Sequence, residues 1–374
     1  MRQVLVVGPD HQNTLGIIRA LGKEKYIVDL IVYGSNLEKC RCRKSKYLTG
    51  KYVGCAENER EIVETIIRMA NIDRKVPVIP TSDYAEMCID KNYNILCKYC
   101  VLPSISNTEG LVCHYMDKYA QKKLAEKYNI KMAKSIRLNL MDNWEEKISL
   151  EWTYPCVIKP LVSAKGLKSD ISYINSLTEL IEKCNGLKQA GYEDVLIQEF
   201  IKKDYEVCMF GCLTKNTQEF FGGAIKKIRY SPVGDGASLS FAQFIKVDNK
   251  ILEILSVLRK LGYNGLFDVE FFVVNEELYL NEINFRNSGN GWAVVNREIN
   301  FPDIWIRDCL GERIVNKKHF INDNSYFMNE TADLKNVLKG NIRLFTWVKC
   351  LIKTRSFNKF WIRDILGSLI WYRR

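Results

Sequence analysis

The chain opens on apolar runs separated by amphipathic stretches. Val4–Val7, Val28–Val32 and Val76–Pro80 read as short buried strands, while the stretches near Asn13–Leu21 and Glu59–Met69 carry helical spacing. This β-α-β-α-β rhythm predicts a parallel sheet, because parallel neighbours need a long crossover that a helix supplies. Loops at the carboxyl ends of such strands, here around His11 and Thr81-Ser82-Asp83, are the default ligand positions of an open α/β sheet. A dinucleotide fold would want G-x-G-x-x-G after the first strand. The loop Gly8-Pro9-Asp10-His11-Gln12-Asn13 does not have it.

Further along, CHYMDKYAQKKLAEKYNI predicts a helix capped by Asp117, which puts Lys118 in the first turn, where the helix dipole disfavours a cation. Taken singly, Lys118 reads as a structural or solvated lysine. Val157-Ile158-Lys159 reads as a buried strand ending at Pro160, so Lys159 needs a negative partner. The loop Ser163–Ser169 follows, with Ser163, Lys165, Gly166 and Lys168, and small residues of this kind can wrap phosphate oxygens with backbone N–H groups. Glu199 and Glu206 then lie at the ends of two strand-like runs joined by a short connection. Lys226, Lys227 and Arg229 sit on a strand ahead of a glycine-containing turn.

The stretch YLNEINFRNSGNG alternates Glu282, Asn284 and Arg286 with Ile283 and Phe285, so the three polar groups share one strand face. Upstream, GLFDVEFFVVNEELYL reads as the partner strand of a hairpin, with Asn275, Glu276 and Glu277 as its turn. That turn pairs Val274 with Leu278, which sets Glu270 opposite Glu282 and Asp268 opposite Asn284. Two carboxylates facing each other across a sheet repel. A cation between them removes the penalty.

Composition narrows the class. The 374 residues are 47% apolar and 26% charged, a folded chain of two or three domains. No run of eighteen apolar residues appears, and MRQVLVVGPD is too short in its apolar core for a signal peptide, so a cytoplasmic protein is expected. The thirteen cysteines are then expected to be thiols, many in apolar settings such as Cys88, Cys156 and Cys208. Cys97-Lys-Tyr-Cys100, with Cys113-His114 downstream and Cys40-Arg-Cys42 upstream, would make a zinc site only if four ligands converged. Core and loop thiols are the simpler reading, and Cys97 and Cys100 receive no role. Of the net charge of +11, most sits in Gly340–Arg374, which has eight basic residues against one acid. The rest is only mildly basic, which argues against a nucleic-acid surface.

Taken in order, these features resemble the ATP-grasp superfamily of carboxylate–amine ligases, of the D-aspartate ligase or cell-envelope amino-acid ligase type. The carriers are Lys118, Lys159, the small-residue loop, Gln198-Glu199-Phe200-Ile201, Glu206, and a glutamate, Glu270, twelve positions ahead of Glu282-x-Asn284-x-Arg286. The resemblance runs over roughly Val4 to Asn300. It implies an α/β fold: a Rossmann-like pre-ATP-grasp domain (1–112), an ATP-grasp domain (113–310, with a lid at about 130–200), and a helical basic extension (311–374). It further implies that Lys118 and Lys159 hold the phosphates of ATP and that Ser163, Lys165 and Gly166 belong to the phosphate-covering loop. Glu199 with the backbone at Phe200 and Ile201 would read adenine, and Glu206 the ribose. Glu270, Glu282 and Asn284 would bind magnesium, with manganese as a substitute, and Arg286 would stabilise the reacting acyl phosphate. Lys226 and Arg229 lie in a K-x-x-R-Y-S-P segment similar to that of D-aspartate ligase-type enzymes and are candidates for phosphate or carboxylate contacts.

The implied reaction is ADP-forming ligation of a small-molecule acid to an amine, with an amino acid, a sugar or an envelope intermediate open as partners. Two alternatives stand beside it: a nucleotide-binding regulator with a degenerate site, and a kinase-like ATPase that forms no amide. In the tail, Phe357, Trp361 and Ile365 recur at helical spacing, with Arg355, Lys359 and Arg363 on another face. That predicts an amphipathic helix that lies on an anionic membrane at its inner face, or else packs on the enzyme body or on a second subunit of a homodimer.

Overall fold

The computed structural model describes residues 2–34, 37–50, 52–70, 75–142, 144–148, 152–161, 171–232, 238–316 and 318–372. The chain divides into two compact units, one of residues 1–113, 207–269 and 284–374, the other of residues 114–206 and 270–283. The predicted loop containing Ser163, Lys165 and Gly166 lies outside the described residues.

The larger unit begins with the expected parallel sheet. Strands β1 (Gln3–Pro9), β2 (Ile27–Tyr33), β3 (Val53–Ala56), β4 (Val76–Pro80) and β5 (Cys100–Val101) lie in the order β3-β2-β1-β4-β5. Every pair is parallel. The first helix, Gln12–Lys23, is capped by the His11 imidazole, which accepts from the Asn13 N–H. The helix Glu59–Met69 is capped by Asn58, and Asp83–Asp90 by Ser82. These side chains satisfy amide donors that the first turn leaves without partners. Because the chain steps from β3 back past β1 to β4, the order of strand addition in the sheet reverses beside β1. The loops after β1 and β4, holding His11 and Thr81-Ser82-Asp83, therefore flank its switch point.

After the short strand β6 (Ser104–Ile105), the smaller unit holds an antiparallel sheet of β7 (Ser135–Asn139), β8 (Cys156–Pro160), β9 (Ser172–Ile174) and β10 (Asp194–Glu199) in the order β7-β10-β8-β9. The helix Leu177–Gln189 buries Leu180, Cys184 and Leu187 in this unit's own core with Leu138, Ile158 and Ile197.

A third sheet runs through β11 (Tyr205–Leu213), β12 (Phe220–Tyr230), β13 (Leu239–Ile245), β14 (Tyr263–Val274) and β15 (Glu277–Asn284), with β16 (Phe320–Ile321), β17 (Tyr326–Met328) and β18 (Thr354–Phe357) completing it. Its order is β15-β14-β11-β12-β13-β17-β18, with β16 on β12 and β6 on β14.

Two expectations fail locally. The turn between β14 and β15 has two residues, not three: Asn275 and Glu276, both left-handed at φ 49° and 62°. Without glycine, this type of turn is sterically costly and leaves little sequence signal. The Asn275 N–H donates to Asp204 Oδ2 at 2.8 Å, which helps hold it. In the tail, the predicted helix over Phe357, Trp361 and Ile365 is not formed. Thr354–Phe357 is a strand parallel to β17, Trp361 and Lys359 are buried, and α-helix resumes only at Ile365–Leu369, after a 3-10 turn at Ile362–Asp364. The amphipathic helix of the tail lies earlier, at Leu344–Lys353. No helix among the described residues is long and apolar enough to cross a membrane.

Candidate active site

In the smaller unit, one helix and one strand bring two opposite charges together. The helix Lys118–Lys127 is capped as expected by Asp117, whose carboxylate accepts from the N–H groups of Tyr119 and Ala120. One turn in, buried Gln121 grips the backbone of Ile283 in both directions. Its amide donates to the Ile283 carbonyl and its oxygen accepts from the Ile283 N–H, each at 2.8 Å. Lys118 is one turn earlier on the same helix face and Glu282 one residue earlier on β15, so the clamp delivers them to each other. Lys118 Nζ stands 2.9 Å from Glu282 Oε1, with the lysine buried and the glutamate partly exposed. A lysine at a helix N-terminus is unfavourable by itself, and this carboxylate offsets that cost.

Lys159 is the second buried lysine, on β8, where it pairs across the sheet with Leu196 of β10. Its direct partner is an amide, not the anion that a buried ammonium demands: Nζ donates to Gln198 Oε1 at 2.8 Å. Burial, and then the neighbouring Lys118 ammonium, push its pKa down to about 8, while Glu282 and Glu270 pull the other way. Two cations and two carboxylates thus act on one another within a small volume. A regular ladder continued from the two-residue turn would set Glu270 opposite Asn281 instead of Glu282. Both carboxylates nevertheless act on Lys159, so each lies near that lysine without the predicted register.

The remaining candidates of this unit line the end of β10 and the connection to β11. Glu199 is the last residue of β10 and is exposed, with its N–H bonded to the Lys134 carbonyl. Phe200 is exposed and packs edge-to-face with Tyr173, their ring centroids 5.7 Å apart, and Ile201 is half-buried. Glu206, near the start of β11, is buried and hydrogen-bonded to Lys203.

In the larger unit, Asn284 is buried at the end of β15. Arg286 forms a two-pronged pair with Asp83, Nε to Oδ1 at 2.9 Å and Nη2 to Oδ2 at 3.0 Å, and Nη2 also reaches Asn284 Oδ1 at 3.3 Å. A planar guanidinium gripped on two nitrogens by one carboxylate has a fixed orientation. The next residue is anchored too: Asn13 donates to the Thr81 and Asn287 carbonyls, and the Asn287 amide donates back to Asn13. The segment after β15 is thereby tied to both loops at the switch point. Lys226 is half-buried on β12, in register with Val207 and Gln243. Arg229 is engaged elsewhere, its Nε and Nη2 held by buried Asp333 at 3.0 and 2.7 Å and its guanidinium 4.2 Å above the Phe241 ring.

Two partners had no signal that a motif could carry: Gln121 is a polar residue on a helix face, and Asp83 is distant in sequence from Arg286, with only a positional clue from the loop after β4. Gln198 stood in the Gln198-Glu199-Phe200-Ile201 motif, but its pairing with Lys159 was not foreseen.

The comparisons with known proteins bear on this geometry. Residues 123–297 match the ATP-grasp domain family. The chain carries an ATP-grasp domain. A formate-dependent phosphoribosylglycinamide formyltransferase of Erythrobacter litoralis is 27% identical over 183 residues, 47% of this chain and 47% of the relative. A D-alanine–D-alanine ligase of Helicobacter pylori is 29% identical over 192 residues, 47% of this chain and 52% of the relative. The chain spans about half the length of these curated relatives. The ADP complex of an N5-carboxyaminoimidazole ribonucleotide synthetase superposes with a TM-score of 0.66 at 16% identity, covering 92% of this chain and 86% of that one. An L-amino acid ligase from Bacillus licheniformis gives 0.59 at 12%, covering 83% and 74%. At these identities the structural likeness speaks for the fold alone. That fold takes in the N-terminal α/β sheet as well as the ATP-grasp domain.

Proposed function

We propose that the protein is an ATP-dependent, ADP-forming carboxylate–amine ligase that works through an acyl phosphate. The observation that carries this reading is the cluster of Lys118, Lys159, Glu282 and Glu270. In it a buried lysine sits beside a second lysine and satisfies itself with an amide oxygen. Such crowding of cations suits a polyanion. The partly exposed carboxylates suit a hard divalent cation, which takes oxygen ligands and commonly bridges phosphates. Magnesium, or manganese in its place, would be held by Glu270, Glu282 and Asn284 and would supply charge neutralisation at the transferring phosphoryl group.

The roles of the chain's own residues in this reading are those that the resemblance implies. Lys118 and Lys159 bind phosphate oxygens, with Lys118 exchanging Glu282 for them. Glu199, with the backbone at Phe200 and Ile201, holds the adenine, and Glu206 the ribose hydroxyls. Ser163, Lys165 and Gly166 cover the phosphates. Arg286, oriented by Asp83, presents its charge to the acyl phosphate as it forms, and Lys226 contributes a second cation. Arg229 would act only at the cost of its pairing with Asp333. The γ-phosphoryl group passes to a carboxylate oxygen of the acid and ADP leaves. The amine nitrogen then attacks the carbonyl carbon, the carbon–oxygen bond to phosphate breaks, and the nitrogen loses a proton. Positioning and charge neutralisation are most of what such a transfer requires.

For the substrates, we favour an amino acid joined to a cell-envelope or polysaccharide precursor or to another amino acid. A relative named D-alanine–D-alanine ligase supports this class. Release of ADP and phosphate in a panel of acids, with and without amines, tests the reading. Turnover needing both substrates supports a ligase. Turnover with the acid alone points to a kinase-like ATPase, and nucleotide binding without turnover to a regulator.

A cytoplasmic enzyme acting on envelope precursors would benefit from contact with the inner face of the membrane. The helix Leu344–Lys353 buries no residue, and Phe345 and Ile352 are 69% and 78% exposed, with Leu344 and Val348 alongside. Arg343, Lys349, Lys353 and Arg355 are exposed around them. Every acid in residues 330–372 is instead buried: Asp333 on Arg229, Asp364 on Arg19, and Glu330 on the N–H groups of Asn358, Lys359 and Phe360. The outward charge of the segment is therefore positive around an apolar face, which suits an anionic bilayer. The protein is expected to float with anionic vesicles and not with zwitterionic ones, and Phe345→Glu with Ile352→Glu to lower that binding at least about tenfold. Equal flotation of wild type and variant would remove the membrane from the account.

A further inference from the structure

The connection from β2 to β3 carries two thiols that the proposed reaction does not use. Cys40 and Cys42 flank Arg41 at the start of a short 3-10 helix, Arg41–Lys44, and both are buried. Asp10 stands just beyond the carboxyl end of β1. Together the two sulfurs and one carboxylate oxygen of Asp10 lie within 4.8 Å of one another. Cys40 Sγ is 3.7 Å from Asp10 Oδ1. In a tetrahedral zinc site with Zn–S of about 2.3 Å and Zn–O of about 2.0–2.2 Å, the sulfur–oxygen separation is about 3.6 Å. The observed spacing needs little closing to meet that geometry.

The surroundings are built as for a ligand set. Asp10 is aimed by three donors: the Cys42 N–H to Oδ1 at 3.1 Å, Arg41 Nε to Oδ2 at 2.9 Å, and Arg41 Nη2 to its carbonyl at 3.2 Å. Arg41 is itself fixed, its guanidinium lying 3.7 Å above the ring of buried Trp371. The Cys42 thiol donates to the His11 carbonyl at 3.7 Å. Outer partners of this kind orient metal ligands, and the Arg41 charge offsets part of the negative charge that two thiolates and a carboxylate bring. Cys97, Cys100 and Cys113 form no comparable group with a third ligand among the described residues.

We infer that Cys40, Cys42 and Asp10 form a binding site for a thiophilic divalent cation such as zinc, separate from the ATP-grasp chemistry. Binding replaces the two thiol protons with two metal–sulfur bonds and releases those protons to solvent, with no change of oxidation state. A water or a further ligand completes four-coordination. The bound ion ties the β1 loop, and with it the His11 helix cap, to the β2–β3 connection.

Titration of the reduced full-length protein with Co2+ tests this. Tetrahedral thiolate coordination gives intense sulfur-to-cobalt charge-transfer and visible ligand-field bands, and zinc should displace them. The expected result is one equivalent per chain. The bands should be lost in Cys40→Ser/Cys42→Ser and kept in Cys97→Ser/Cys100→Ser. In Asp10→Asn, which preserves size should the double variant fail to fold, affinity should fall at least about tenfold. Absence of the bands in the wild type, or their loss in the Cys97/Cys100 variant instead, would overturn the site. Because this readout needs no nucleotide, its failure leaves the ligase reading standing, and the reverse holds too.

Discussion

Glu282→Gln is expected to reduce turnover at least about a hundredfold, on the order of 3 kcal/mol of transition-state stabilisation, while the protein stays folded. The substitution keeps the size of the side chain and an oxygen facing Lys118, so the 2.9 Å contact can survive as a hydrogen bond. What is lost is one negative charge shared between a lysine and the proposed metal ion. The fold should suffer less than the chemistry, because Gln121 still ties β15 to the helix through the backbone of Ile283. Thermal unfolding monitored beside ADP release separates the two effects. Wild-type turnover in the folded variant would refute the metal assignment.

Lys159→Met is expected to abolish turnover and weaken nucleotide binding while leaving the protein as stable as the wild type or more so. The depressed pKa of Lys159 shows that its ammonium is costly in the free protein. A displacement from 10.5 to about 8 corresponds to roughly 3 kcal/mol. Methionine fills a similar volume and removes that cost. The pH dependence has a definite sign. Between about pH 8 and 10.5 the unfolded chain holds the Lys159 proton and the folded one does not, so wild-type stability from this group rises with pH across that window. Below it the full cost is present. Nucleotide affinity runs the other way, falling as pH rises past about 8 because the charge that meets the phosphates is lost. A methionine variant with lower stability and unchanged affinity would contradict the role of Lys159.

How much of this was legible in the sequence can be traced residue by residue. The N-terminal rhythm of apolar runs was sufficient for the parallel sheet, and Asp117 ahead of an amphipathic stretch was sufficient for a capped helix. The spacing of Glu270, Glu282, Asn284 and Arg286 pointed to a family because few other folds need that set in that order. The turn was misread because a left-handed pair without glycine, Asn275-Glu276, leaves no compositional mark. The tail was misread for a different reason. Phe357, Trp361 and Ile365 do recur every four residues, but Thr354-Arg-Ser-Phe also alternates buried and exposed with a period of two. Pairing with β17 decided between the periods, and pairing is long-range. For the same reason the partners of the key cations, Gln198 for Lys159 and Asp83 for Arg286, could be found only in space.

The central claim is that this chain activates a carboxylate by phosphorylating it before an amine attacks. Oxygen-18 tracing tests it most directly, using an acid from the panel labelled in its carboxylate, together with ATP, Mg2+ and an amine. The account predicts one labelled oxygen in each phosphate released, appearing in step with ADP and with the amide product. Phosphate free of label, or ADP formed at the same rate without the acid, would contradict it.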